Sequence, residues 1–324
     1  MSNYRNHYDV SQTVDVTDPF AVKTEVKWIF LGLYPRASLS AVERAFDDVD
    51  ALYHGNFSGY RACDTPFHDL QHVLDVALAM ARLMNGYERN RTGSEPLGLQ
   101  LFSLGIVAAL FHDCGLVRTI DDREHSNGAE LMQTRTSRAG TFVRKYLVEI
   151  GMSDTADLVP ALLHFTGYEL PVGRIELPTV RHRLLGSLLG SADIIAQMAD
   201  RCYLEKCRDR LYPELVAGRV ARNELPGGRE QIVFSSGEDL VMKTPSFYVR
   251  AMRRLRNDLG NCYHFATYVF GGKDLYLKSI RRNIRFAQLL REGNDTSLLR
   301  RIAPCVNCRA VSDIRETYRH SSPA

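Results

Sequence analysis

The chain lacks a long hydrophobic run, a block of like charge, an internal repeat and more than a few strand signals. Its most apolar stretch, roughly Leu101–Phe111, is too short for a bilayer, which needs about 20 residues. The opening segment MSNYRNHYDVSQTVDVTDPF is polar and unlike a signal peptide. Lys and Arg number 41 against 38 Asp and Glu, leaving a net charge of +3. That near-balance disfavours nucleic acid and a membrane surface as partners, and the expectation is a cytoplasmic protein. The seven cysteines, an odd and scattered set, read as reduced thiols. Cys305 and Cys308 have C-x-x-C spacing, but no second pair completes a zinc knuckle, so they read as incidental thiols in a surface turn.

What remains is helix pattern. SLSAVERAFDDVDALYHG from Ser38 carries apolar residues at helical spacing up to Gly55. Thr65-Pro66 offers an N-cap and an N1 proline for a helix to about Met84. Pro96 opens an apolar helix stopped by Gly115, and further helices fit from Ser126, 138–151, from Asp154 or Asp157 to Gly167, Thr179 to about Arg210, 246–259 and 274–292. The 212–245 stretch reads as loop with a short hairpin, QIVF being its clearest strand. The fold class is all-α. The expected organisation is an arm over 1–37, a helical core over 38–211 and a C-terminal loop and helical extension over 212–324. The basic amphipathic segment SIRRNIRFAQLLRE reads as a surface helix with its apolar face on the core.

Two fragments carry chemistry. FHDLQHVLDV places His68, His72 and Asp75 at i, i+4 and i+7, on one face if the segment is helical. AALFHDCG ends an apolar helix with His112-Asp113, where the helix terminus favours a cation and an unpaired buried carboxylate would be costly. Imidazole and carboxylate from separate helices suit Zn, Mn, Fe or Mg and point to a metal-dependent hydrolase.

This pattern resembles the H…HD…D signature of the HD phosphohydrolase superfamily, an all-helical metal-binding fold. The resemblance implies an HD-type catalytic bundle with His72, His112 and Asp113 as ligands. The closing aspartate would be Asp193, preferred over Asp200. His125 and His164 fall where binuclear members place ligands for a second ion, so two divalent ions bridged by Asp113 are implied. FHDLQHVLDV further resembles the HNxxHAxDV motif of class I cyclic-nucleotide phosphodiesterases. It implies His68 as general acid beside catalytic Asp113, and Asp75 as a partner behind the ligands. Cys114-Gly115-Leu116 departs from both branches, and Leu116 lacks the positive charge many bacterial members carry there.

The expected function is therefore hydrolysis of a small, nucleotide-type phosphoester. Arg118, Arg123 and Gln197 are candidate substrate contacts, and Phe247 or Tyr248 a candidate aromatic contact. The C-terminal third leaves room for a homodimer interface. Two alternatives stand beside this reading: an HD-fold di-iron oxygenase, since the same donors suit iron, and a non-catalytic ligand sensor on the same scaffold.

Overall fold

Residues 5–225 and 229–304 are described by a computed structural model, so Cys305 and Cys308 lie outside the described residues. The described chain is all-α. In order its helices are α1 (Pro19–Leu33), α2 (Ser40–Tyr53), α3 (Leu70–Asn90), α4 (Gly98–Phe111), α5 (Arg135–Glu149), α6 (Ser153–Ala156) and α7 (Val159–Leu163). There follow α8 (Val180–Ala199), α9 (Tyr203–Lys206), α10 (Tyr212–Ala217), α11 (Gly237–Arg253), α12 (Ala266–Val269) and α13 (Leu275–Gly293). An antiparallel pair, β1 (Arg222–Leu225) and β2 (Arg229–Ile232), forms the expected hairpin, with Arg222 opposite Ile232.

α3 is the axis. It packs on α1, α4, α8 and α12, and its apolar side chains are fully enclosed from Val73 to Met84. The helix continues to Asn90 through Asn85-Gly86, which reads in sequence as a stop. Gly86 is needed there for close approach: a Cβ would fall 2.0 Å from the Phe265 carbonyl oxygen. α4 is buried almost all round, and with its following 3-10 turn is long and apolar enough by composition to cross a membrane. Most of that length is instead enclosed by the protein, as befits a core helix.

Several boundaries differ from expectation for identifiable reasons. The expected arm contains α1, which buries Val22, Val26 and Phe30 at i, i+4 and i+8. The helix expected from Thr179 is capped there by the Thr179 side chain but stops at Asp200, after which the chain turns into α9, a π-helical turn at Cys207–Leu211 and α10. α11 starts at Gly237, capped by Ser236, and carries Pro245 inside it rather than starting after it. The Ser126 region forms only a 3-10 turn, Gly128–Leu131, closed by an Asn127–Glu130 capping box. The helix expected from Asp154 or Asp157 is two short pieces, α6 and α7. α13 does lay Ile280, Ile284 and Ala287 on the core.

Candidate metal centre

The first fragment is not one helical face. α3 begins at Leu70, because the Asp69 carboxylate caps it by accepting from the His72 N–H at 3.0 Å. His68 therefore sits in the preceding bend, where the Thr65 hydroxyl donates to its carbonyl at 2.9 Å. A carboxylate from α10 completes this bend. Glu214 is fully buried, and its Oε1 accepts from the backbone N–H of Phe67 (2.5 Å) and of His68 (3.2 Å). Its Oε2 meets the Nδ1 of His68. The 212–245 stretch, which reads in sequence as loop with a short hairpin, begins instead with α10, and Glu214 on it is not among the residues the sequence points to. Its signal is faint: one acid immediately after Pro213, in a turn that also holds Leu215 and Ala217.

The first turn of α3, the C-terminal end of α4 and the middle of α8 converge on one point. His72, His112 and Asp113 bring one potential ligand atom each within 4.8 Å of one another, and all three are buried. Asp113 Oδ2 lies 3.0 Å from His112 Nε2 and 3.3 Å from His72 Nε2. Asp193 approaches from α8, its Oδ1 3.5 Å from His72 Nε2 and 3.9 Å from His112 Nε2. The competing Asp200 is instead the C-cap of α8, paired with Lys206 at 2.6 Å.

The donors fit a metal ion. His112 Nδ1 lies 2.8 Å from the Ala109 carbonyl, which can only accept, so the proton sits on Nδ1 and Nε2 is left with its lone pair toward the cluster. That Nε2 is buried without a hydrogen-bond partner, a costly arrangement unless a cation completes it, whereas Asp113 Oδ1 has the Arg135 guanidinium beside it. Two imidazoles and a carboxylate are the donor set of first-row metal sites.

Charge in the cluster is strongly coupled. Burial alone would depress His112, yet Asp113 and Asp193 lift it to about 9, so the lone pair of Nε2 faces the cluster only in the neutral ring that a bound cation would select. Burial alone would raise Asp113, yet His112 and His68 hold it well below the usual carboxylate range. His68 is lifted above its ordinary value, Glu214 and then Asp113 outweighing its burial.

A permanent cation stands beside this set. Arg135, at the start of α5, places its Nε 3.3 Å from Asp113 Oδ1. The positive charge that Leu116 does not provide is thus supplied from another helix. Gly115 permits it, since a Cβ there would fall 1.9 Å from the Arg135 carbonyl oxygen. After Glu214 and Arg135, a third residue the sequence does not point to is Tyr168, exposed and within electrostatic reach of Asp193, Arg250 and Arg135, with the Arg254 guanidinium 4.1 Å from its ring centre. Arg254 is itself held by the carbonyls of Phe165 and Gly167.

The other expected residues divide. Asp75 has Asp200, Lys206, Asp9 and Arg82 as its charged neighbours, so it sits away from the ligands rather than behind them. Arg118 is committed to structure: it pairs with Asp64 at 2.6 Å and donates to the His125 carbonyl. Arg123 is exposed. Gln197 reaches the centre only through Asp193, donating to its Oδ1 at 3.2 Å. Tyr248 and Phe247 lie on α11, partly packed on the core. His125 has Nδ1 3.1 Å from Asp122, leaving Nε2 free, and His164 Nδ1 is buried without a partner. Among the described residues, neither joins a group of three close donors.

No protein-family model matches the chain, and no curated protein matches it.

Proposed function

We propose that this chain is a metal-dependent phosphohydrolase of the phosphodiesterase type, in keeping with the HD-superfamily reading of its motifs. The observation that carries the proposal is the pairing of His68 with a buried carboxylate beside the His72–His112–Asp113 cluster. The His68 and His72 ring centres are 5.7 Å apart, so a proton-bearing imidazole stands next to the ligand set without belonging to it.

His72, His112 and Asp113 would hold a divalent ion, with Asp193 as the neighbouring carboxylate. When bound, such an ion supplies Lewis acidity and an acidified water. The protein's own contribution is positional. Glu214 occupies Nδ1 of His68, which turns Nε2 outward as the atom that can give a proton to a departing alkoxide. The same carboxylate grips the backbone on both sides of that ring, fixing its approach. Arg135 keeps a positive charge at the cluster where an anionic phosphoester would arrive.

Asp113 uses Oδ2 toward the two histidines and Oδ1 toward Arg135, which favours a single ion with Arg135 at the second oxygen. A second ion would instead recruit His125 and His164, and metal stoichiometry separates the two. A proton donor poised by Glu214 meets the need of ester cleavage, where the departing alkoxide must be protonated, and this is the ground for preferring hydrolysis over a di-iron oxygenase.

The test is His68→Ala assayed on a panel of phosphodiesters and nucleotides. The variant should keep the wild-type metal content while losing on the order of 10²–10⁴ in kcat, the usual worth of a general acid. Loss of metal with unimpaired turnover after metal is restored would assign His68 to ligation instead. Failure of metal-loaded wild-type protein to cleave any substrate would favour a sensor.

A further inference from the structure

One cavity lies apart from the candidate metal centre. It has a volume of about 840 Å³ and lies among the N-terminal segment, α3, α8 and α13. Its size falls in the range of small-molecule sites, roughly 300–1,000 Å³. None of His72, His112, Asp113 and Asp193 lines it.

Its two ends differ chemically. Along α13, Lys278, Arg281 and Arg285 recur at i, i+3 and i+7, so they share a helix face, and all three are exposed and line the cavity. Their side chains make no hydrogen bond or ion pair with the described residues, whereas the acids of the opposite wall are largely spoken for. Asp9 is paired with Arg82 at 2.7 Å and Asp200 with Lys206 at 2.6 Å. Two carboxyls are exceptions: Asp75 lines the cavity and accepts no hydrogen bond from a described residue, and Asp274, which caps α13 through Oδ1 and lies within electrostatic reach of Arg281, lines it with its Oδ2 unpartnered. For Asp75, burial, and then Asp200, push the carboxyl above the usual range, and either protonation state leaves an oxygen that can accept a hydrogen bond. Phe286 and Tyr8 add partly buried aromatic wall.

We propose that this cavity is a second ligand site, taking a nucleotide whose phosphates lie on Lys278, Arg281 and Arg285 and whose base edge meets Asp75. Three unpaired cations in reach of one cavity suit a di- or triphosphate, and Arg in particular suits phosphate oxygens. The Asp75 carboxyl lines the cavity and can accept from the exocyclic amino group of a base. The site is independent of the metal centre and of the hydrolytic reading.

The test titrates the full chain, in EDTA and at low salt, with ATP and with inorganic pyrophosphate by calorimetry. ATP should bind saturably at one site and more tightly than pyrophosphate. Arg281→Glu with Arg285→Glu should weaken ATP by about tenfold or more, and Lys278→Glu should weaken it independently. Asp75→Ala should abolish the advantage of ATP over pyrophosphate. His112→Ala, which disables the metal cluster, should leave ATP binding unchanged. The proposal is overturned if ATP gives no saturable binding, if the charge reversals bind as well as wild type while remaining folded, or if His112→Ala abolishes binding. Adhesion to phosphatidylserine vesicles without ATP binding would equally overturn it, in favour of a surface role for α13.

Discussion

Glu214 holds His68 from 146 positions away in the chain, one oxygen on the ring and the other on the backbone amides before and at it. This long-range contact ties the short α10 to the loop that opens α3, and it ranks Glu214 as a positioning residue. Glu214→Gln keeps the size and one acceptor but removes the charge that lifts His68. The variant should retain metal, lose about ten- to a hundredfold in kcat, and show the basic limb of its pH–rate profile at lower pH, because a less basic His68 gives up its proton sooner. An unchanged limb with reduced stability alone would make the contact purely structural.

Tyr168 stands exposed near Asp193 and Arg135, with Arg254 against its ring. As a platform for a planar substrate group, it should act on binding rather than on chemistry. Tyr168→Ala is expected to raise KM about tenfold, equivalent to about 1.4 kcal/mol, with kcat within about twofold of wild type. Steady-state kinetics on the best substrate of the panel checks this.

Asp75 makes a separate prediction for stability. Its folded-state pKa is raised by burial and by Asp200, against the opposing charges of Lys206 and Arg82, with Asp9 adding to the rise. The folded state therefore binds this proton more tightly than the unfolded chain, whose carboxyl titrates near about 4. Stability from this group is gained as pH falls through the folded pKa and is missing at high pH. Asp75→Asn, permanently neutral, should be more stable than wild type at pH 8 in urea melts, and the difference should shrink toward pH 4.

Arg82 is 2% exposed, pairs with Asp9 at 2.7 Å and donates to the Tyr276 hydroxyl at 3.1 Å. It ties the N-terminal segment and α13 to α3. Arg82→Met leaves Asp9 buried without its partner and should cost about 3–5 kcal/mol. Adding Asp9→Asn should recover part of that loss, and hydrogen exchange should show the N-terminal segment opening first in the single variant.

The helical class and the close group of His72, His112 and Asp113 are legible because they rest on local signals. Val42, Phe46 and Val49 mark α2 by spacing, and His112-Asp113 interrupts an otherwise apolar run. Asp193 lies within a buried run and near the cluster, while Asp200 stands at the end of the run and pairs with Lys206. What escaped depends on tertiary context. The buried stripe of α1 is only Val22, Val26 and Phe30, blurred by the exposed Phe20 and Trp28. Thr65-Pro66 is a sound helix start by local chemistry, but Asp69 wins because Glu214 has already claimed the amides of Phe67 and His68. Arg135 and Glu214 reach the centre only through packing between elements distant in sequence, which no periodicity reports.

The central claim is that His72, His112 and Asp113 form a metal centre, and elemental analysis paired with anomalous scattering tests it most directly. Full-length protein should carry at least one first-row ion per chain, with its anomalous peak among His72 Nε2, His112 Nε2 and an oxygen of Asp113. His112→Ala and Asp113→Ala should each lose that ion while remaining folded, and the ion should raise the Tm of wild type only. A protein that takes up no ion, or variants that hold it as well as wild type, would contradict the account.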